Sequence, residues 1–165
     1  MFELRFDKYK AGDFISFSGE FIIMRDAAHK RIFELFQKGE SLPIDFKNKI
    51  IFYAGPAKKP YFQSIGAIGP TTSNRMDPFL KFMYDLGVYA TVGKGKRSSF
   101  VSDLNKDYSK FYLIAPSGVA AFLSEKIMSH EVLAFEDLGT ESIQRIIVKD
   151  FPLIMGIDSK GNTIY

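Results

Sequence analysis

Two threonine hydroxyls and a guanidinium share one short stretch of backbone in Gly69-Pro70-Thr71-Thr72-Ser73-Asn74-Arg75-Met76-Asp77. An arginine fork binds a carboxylate through two parallel hydrogen bonds, and a hydroxyl beside a guanidinium and exposed helix amides gives up its proton more easily than a free one. The chemistry expected of Thr71, Thr72 and Arg75 is capture of a small carboxylate with a proton-transfer group beside it. Threonines before a helix most often only cap a turn, and Arg75 is what tilts the balance toward a site. Arg25 is a second cation at a strand-to-helix junction, from which a long side chain can reach a cleft at the strands' carboxyl ends. Gly93-Lys94-Gly95-Lys96-Arg97-Ser98 is a third basic element. Its glycines allow close backbone approach to a ligand, with Lys94 as a point charge. It is not a Walker A loop, because Lys94 is followed by Gly95 where that loop needs Ser or Thr. His29 is read as structural, His130 as a surface loop residue, and Glu136-Asp137 as part of a turn rather than an acid/base pair.

The elements that must position these groups follow from periodicity. The runs 14–17 and 21–24 are β-rich and separated by Ser18-Gly19-Glu20, which predicts two short strands. From Asp26 the period becomes helical: Ala28, Ile32, Leu35 and Phe36 share a face, and Gly39 is a stop. Residues 50–54 read as a buried strand ended by Gly55-Pro56, and Lys58-Lys59-Pro60 as exposed loop. Gly69-Pro70 should break a strand, and Asp77-Pro78 should start a helix with Asp77 as N-cap, placing the threonines on a loop before free helix amides. Thereafter helices at 77–86, 98–106 and 118–126 alternate with strands at 88–92, 111–115 and 132–135, the order of βαβ units with parallel strands. The runs 143–148 and 153–157 read as two strands on either side of Lys149-Asp150-Phe151-Pro152, with a closing hairpin to 163–165. The whole, 1–165, is one mixed α/β domain.

Composition bounds the function. With 165 residues, 46% hydrophobic and 25% charged, the chain can bury a core. Its apolar runs fall well short of the roughly 20 residues of a membrane span, and the N-terminus has no signal-peptide pattern, so the expectation is a cytoplasmic protein with no membrane contact. No cysteine and only two histidines exclude a thiolate metal site or iron-sulfur cluster built by this chain alone. Net charge +3 with interspersed signs gives no stripe for nucleic acid.

The segments Met24-Arg25-Asp26-Ala27-Ala28-His29-Lys30-Arg31, Gly69 to Asp77, Gly93-Lys94-Gly95, Phe135-Glu136-Asp137-Leu138-Gly139 and Ile157-Asp158-Ser159-Lys160-Gly161-Asn162 resemble, in order and spacing, the β subunit or C-terminal domain of class I fumarases and L-tartrate dehydratases. The resemblance runs from about residue 12 to the end. It implies a swivelling β/β/α domain with a mixed, partly parallel sheet. It also implies an iron-sulfur hydro-lyase interconverting a 2-hydroxy dicarboxylate and its dehydrated product. In that family a [4Fe-4S] cluster is held by cysteines of the α part, so the implied partners are a cluster-bearing α subunit and a small dicarboxylate, with room for a homodimer of αβ units. By motif, Thr71 is the proton-transfer residue with Thr72 beside it, Arg25 and Arg75 hold substrate carboxylates, and Lys94 is a further contact, with Lys96 the alternative one gap away. Fumarate hydratase, a tricarboxylic acid cycle activity, is the preferred reading. The alternatives are L-tartrate dehydratase and a binding domain that has lost catalysis.

Overall fold

A computed structural model describes residues 5–56 and 67–165. The loop expected at Lys58-Lys59-Pro60, and most of the stretch leading into Gly69, lie outside the described residues. Strand β1 (Phe14–Ile23) is continuous, not the expected pair of strands. Ser18-Gly19-Glu20 bends it instead of breaking it. The ladder slips between Phe17 and Gly19, and a Cβ at Gly19 would come within 2.8 Å of the Phe17 ring that folds over it. Helix α1 (Asp26–Gln37) follows, and Gly39 takes the left-handed conformation just past its end, as expected of a stop. The expected strand at 50–54 divides. Strand β2 (Ile50–Phe52) enters the main sheet, whereas β3 (Ala54–Pro56) pairs antiparallel with β4 (Ile68–Pro70) in a separate two-stranded ribbon. Gly69-Pro70 closes β4, so a strand does end there as expected, but it is a strand of the ribbon and not of the main sheet. A two-stranded ribbon tolerates Pro70 because each of its strands has an open edge.

A 3-10 turn over Ser73–Met76 runs straight into α2 (Asp77–Asp85). Asp77 is not the N-cap. Met76 holds that position, Asp77 is the first helical residue, and its carboxylate is used elsewhere. Strand β5 (Ala90–Gly93), helix α3 (Phe100–Tyr108), strand β6 (Phe111–Ile114) and the short α4 (Ala120–Ser124) complete the alternating centre. Helix α3 starts two residues later than expected, and the Ser98 amide ahead of it donates to Asp77. Strand β7 (Ile127–Ala134) begins earlier than 132 and takes in His130, which is a strand residue hydrogen-bonded to Gln144 at 2.6 Å rather than a loop residue. Strand β8 (Ile143–Ile157) is one strand where two were expected. Pro152 sits between the part of β8 paired with β7 and the part paired with β6, where one edge has no partner strand to miss its N–H. The expected closing hairpin reduces to a single bridge, Ile157 to Thr163.

Strands β1, β2, β5 and β6 lie side by side in parallel, as the βαβ order requires. Strand β8 runs antiparallel between β6 and β1 and closes the sheet into a partial barrel, with β7 attached to its first half. This is the mixed, partly parallel α/β architecture that the sequence implied. Alternation along each strand sorts side chains between two cores. Ile23, Ile50, Phe52, Val92, Phe111, Leu113 and Phe151 point into the barrel. Ile22, Ile51, Tyr53 and Tyr112 point outward beneath Ile32, Leu80, Met83 and Val101 of the helices. Phe21, Phe52 and Phe151 meet with ring centroids 5.3–5.7 Å apart. Each such fully buried ring contributes roughly 1.5–3 kcal/mol in transfer free energy. Among the described residues no helix is long and apolar enough to cross a membrane.

Parallel strands end on the same side. The residues after β1, β2 and β5, which are Arg25, Tyr53 and Lys94, therefore share one end of the barrel, the end where α/β sheets present ligand crevices.

Candidate functional site

Arg25 flanks α1 in extended conformation and is half-buried. Its guanidinium lies across Gly55: a Cβ there would come within 2.6 Å of Nη1, so the guanidinium keeps this place only while residue 55 is glycine. Arg25 Nε is buried and has no hydrogen-bond partner among the described residues. One turn on, His29 is buried, and its Nδ1–H donates to the Arg25 carbonyl at 2.8 Å. Burial lowers the His29 pKa to about 4, with the Arg25 carbonyl opposing the shift, so the ring is neutral at pH 7. It packs against Tyr53 and Phe79, and its Nε2 is buried without a partner among the described residues.

Arg75 lies on the 3-10 turn, not on a loop, and is exposed. Its Nη1 is 3.5 Å from Asp26 Oδ2, which brings it beside the start of α1, where Asp26 follows Arg25 in the chain. Both partners are more than two-fifths exposed, so the pair orients more than it stabilises. Thr71 donates both its backbone N–H (2.8 Å) and its hydroxyl (3.1 Å) to the Tyr53 carbonyl at the end of β2. With the proton turned toward Tyr53, the lone pairs of Thr71 Oγ1 point away from that carbonyl. Thr72 is exposed and pairs in parallel fashion with Lys94, and the Ser73 N–H donates to the Lys94 carbonyl at 3.1 Å. The geometry thus sets Lys94, half-buried, beside the threonines. Lys96 is exposed and lines a different cavity of about 230 Å³ with Ser98, Ser99, Ser102 and Tyr165.

A buried polar network beneath these residues was not foreseen. Arg97 and Asp77, with side chains each 1% exposed, pair through Nε and Oδ1 at 2.5 Å. Asp77 Oδ2 accepts the Ser98 N–H at 2.7 Å, and Arg97 Nη1 donates to Thr91 at 3.1 Å. The guanidinium lies 4.6 Å from the Tyr112 ring centroid and 5.4 Å from that of Tyr53. Burial works against its charge, but the neighbouring Tyr53 oxygen and the Asp77 carboxylate outweigh it and raise the pKa above its ordinary value. The anion at the start of α2 is therefore the chain's own. Nothing in the local sequence separates Arg97 from Lys94 and Lys96; only the fold, which turns Arg97 inward, does so. Glu136-Asp137 lies in a 3-10 turn, as the turn reading expects, and Asp137 forms a two-point pair with Arg31, both bonds 2.8 Å.

The donor set does not fit an iron-sulfur cluster. There is no cysteine in the chain, and no group of His, Asp and Glu that could hold a metal occurs among the described residues.

The family model described as Fumarase C-terminus matches residues 2–165. Fumarate hydratase 2 of Leishmania major is 41% identical over 160 residues, which are 96% of this chain and 28% of that protein. The anaerobic class I fumarate hydratase of Escherichia coli is 38% identical over 160 residues and 29% of its length. A putative L(+)-tartrate dehydratase subunit beta of Methanocaldococcus jannaschii is 38% identical over 164 residues, 96% of this chain and 84% of that one. The chain thus spans less than a third of the fumarate hydratases it matches and most of the tartrate dehydratase subunit.

Proposed function

Since the chain belongs to the fumarase C-terminus family, we propose that it is the β subunit of a hydro-lyase, supplying the cationic, hydroxyl-bearing half of an active site for reversible hydration of fumarate to (S)-malate. The observation that carries the reading is the gathering of Arg25, Arg75, Thr71, Thr72 and Lys94 at the carboxyl end of the parallel strands, linked by the Asp26–Arg75 contact and the Thr72–Lys94 pairing.

In this reading Arg25 and Arg75 hold the two carboxylates of the substrate. Dehydration of malate removes a proton from the carbon next to one carboxylate, and negative charge builds on that carboxylate as the proton leaves. A guanidinium already in place stabilises that charge without reorganising. Thr71 takes the proton. It can do so only as the alkoxide, so its own proton, donated to the Tyr53 carbonyl in this structure, must first pass to solvent or to a base of the partner, and the cations of the assembled site must offset the loss of that bond. Thr72 and Lys94 complete the carboxylate contacts. The [4Fe-4S] cluster belongs to the α subunit, where its chemistry would be that of a Lewis acid; this chain contributes binding and proton handling. The enzyme works in the cytoplasm.

The test is to co-express the chain with its α subunit, reconstitute the pair anaerobically, and assay it against malate, fumarate and tartrate. Turnover of malate and fumarate by the pair, with none by the isolated chain, is the expected result. Inactivity of the loaded pair on all three overturns the proposal. Turnover of tartrate alone selects the second reading, L-tartrate dehydratase, which the 84% coverage of the tartrate dehydratase subunit favours.

A further inference from the structure

Lys94 and the threonines can share one ligand only if the segment after β5 and the segment after β4 keep a set separation. On the outside those segments are joined by two backbone contacts, the Thr72–Lys94 pairing and the Ser73 N–H to the Lys94 carbonyl. Beneath them stands a tyrosine that belongs to neither segment. Tyr112, fully buried on β6, places its hydroxyl 3.0 Å from Ser73 Oγ and 2.8 Å from the Gly95 carbonyl. A phenol has one proton. Donated to Gly95, it leaves the phenol oxygen to accept from the Ser73 hydroxyl, so one atom ties the two segments together. Burial raises the Tyr112 pKa, which keeps that proton in place across the neutral range.

Both ends of the tie are constrained. Ser73 Oγ fills the space above Gly93, where a Cβ would come within 1.9 Å of it, so the serine cannot settle closer to β5. The Tyr112 ring is held under the Arg97 guanidinium, which is itself fixed by Asp77 and Thr91. By contrast Gly95 adopts φ +84, and a Cβ there would meet nothing within 4 Å, so its carbonyl is held by the Tyr112 hydroxyl and not by packing around its own Cα. Without the tie, the Thr72–Lys94 pairing and the Ser73 N–H bond still join the two segments, and what is lost is the support beneath them that fixes their exact spacing.

We propose that Tyr112 is a positioning residue: through Ser73 and Gly95 it sets the distance between the Thr71–Thr72 hydroxyls and Lys94, and so the size of dicarboxylate the site accepts. The inference rests on the hydro-lyase reading above. Tyr112 touches no substrate itself.

Tyr112→Phe keeps the ring, its packing and the Arg97 contact, and removes only the oxygen. In the reconstituted pair the variant should raise KM for the better dicarboxylate about fivefold, the fold-change that one lost hydrogen bond corresponds to, with kcat within about twofold of wild type. The ratio of kcat/KM between malate and tartrate should shift as well. Ser73→Ala removes the other partner and should give the same KM shift, and the double variant should be no worse than either single one. A purely structural tyrosine would instead reduce the active fraction, lowering kcat and leaving KM and the substrate ratio unmoved. Unchanged KM in both variants, in a wild-type pair that turns over substrate, overturns the positioning role alone. A wild-type pair inactive on every substrate overturns the functional reading and this role with it.

Discussion

His29 should make the chain acid-labile in a window that lies above the one in which Asp85, Asp137 and Asp158 respond. The ring is buried and neutral, its pKa lowered to about 4 from an ordinary 6.5 by burial. Unfolding restores the ordinary value. Between those two values the unfolded chain binds the proton and the folded chain does not, so stability falls as the pH falls, and the loss ends below the folded-state value. Integrated from pH 7 to pH 5, this single group removes about 2 kcal/mol. The displaced carboxylates of Asp85, Asp137 and Asp158 have folded pKa values below the ordinary 3.8. Their contribution is present above 3.8 and fades only beneath it, outside the window. The perturbation is His29→Asn, which keeps a donor for the Arg25 carbonyl and removes the titratable ring. Urea unfolding of wild type and variant at pH 7, 6 and 5 gives the comparison. The variant starts less stable because the ring leaves a cavity, but its stability should be flatter across the window by about 2 kcal/mol. Parallel pH slopes would show that His29 is solvated or protonated in the folded chain and would refute the argument.

Other consequences can be checked on the same preparations. Gly55→Ala puts a methyl group within 2.6 Å of Arg25 Nη1. The far end of a long side chain can give way, so melting temperature should change little while kcat/KM of the reconstituted pair drops at least tenfold. Asp77→Asn leaves Arg97 buried without its counter-charge and should cost about 3–5 kcal/mol in urea unfolding. Thr71→Ala should lower kcat far more than it raises KM; the reverse pattern would make Thr71 a binding residue.

The parallel centre was legible because each of its strands is an apolar run set between helical periods, and periodicity is a local property. The long strands were not, because what makes β1 and β8 continuous is their partnership with each other. Gly19 and Pro152 look like breaks until a neighbouring strand shows that one accommodates a bulge and the other an unpaired edge. Asp77-Pro78 marks the helix start correctly, and only the N-cap role expected of Asp77 is not met. The dipeptide has the composition of a helix start, but the Asp77 carboxylate is drawn off by Arg97, which lies 20 residues further along the chain. The candidate site was legible where residues are dense in one motif, as at Thr71, Thr72 and Arg75. It was not legible where it depends on a side chain from another strand, as with Tyr112, or on a backbone carbonyl, as with Tyr53 holding the Thr71 hydroxyl. Lys94 and Lys96 differ by register alone, and register appears only once Lys94 is seen paired with Thr72.

The central claim is that this chain brings the cations for a dicarboxylate to a site that another polypeptide completes. It is tested most directly by kcat/KM for malate in the reconstituted pair carrying Arg75→Ala or Arg25→Ala, each verified as folded by its melting temperature. The account predicts a fall of about two orders of magnitude or more for each, the scale of a lost charge-assisted contact in the transition state. Folded variants with near-wild-type kcat/KM would contradict it.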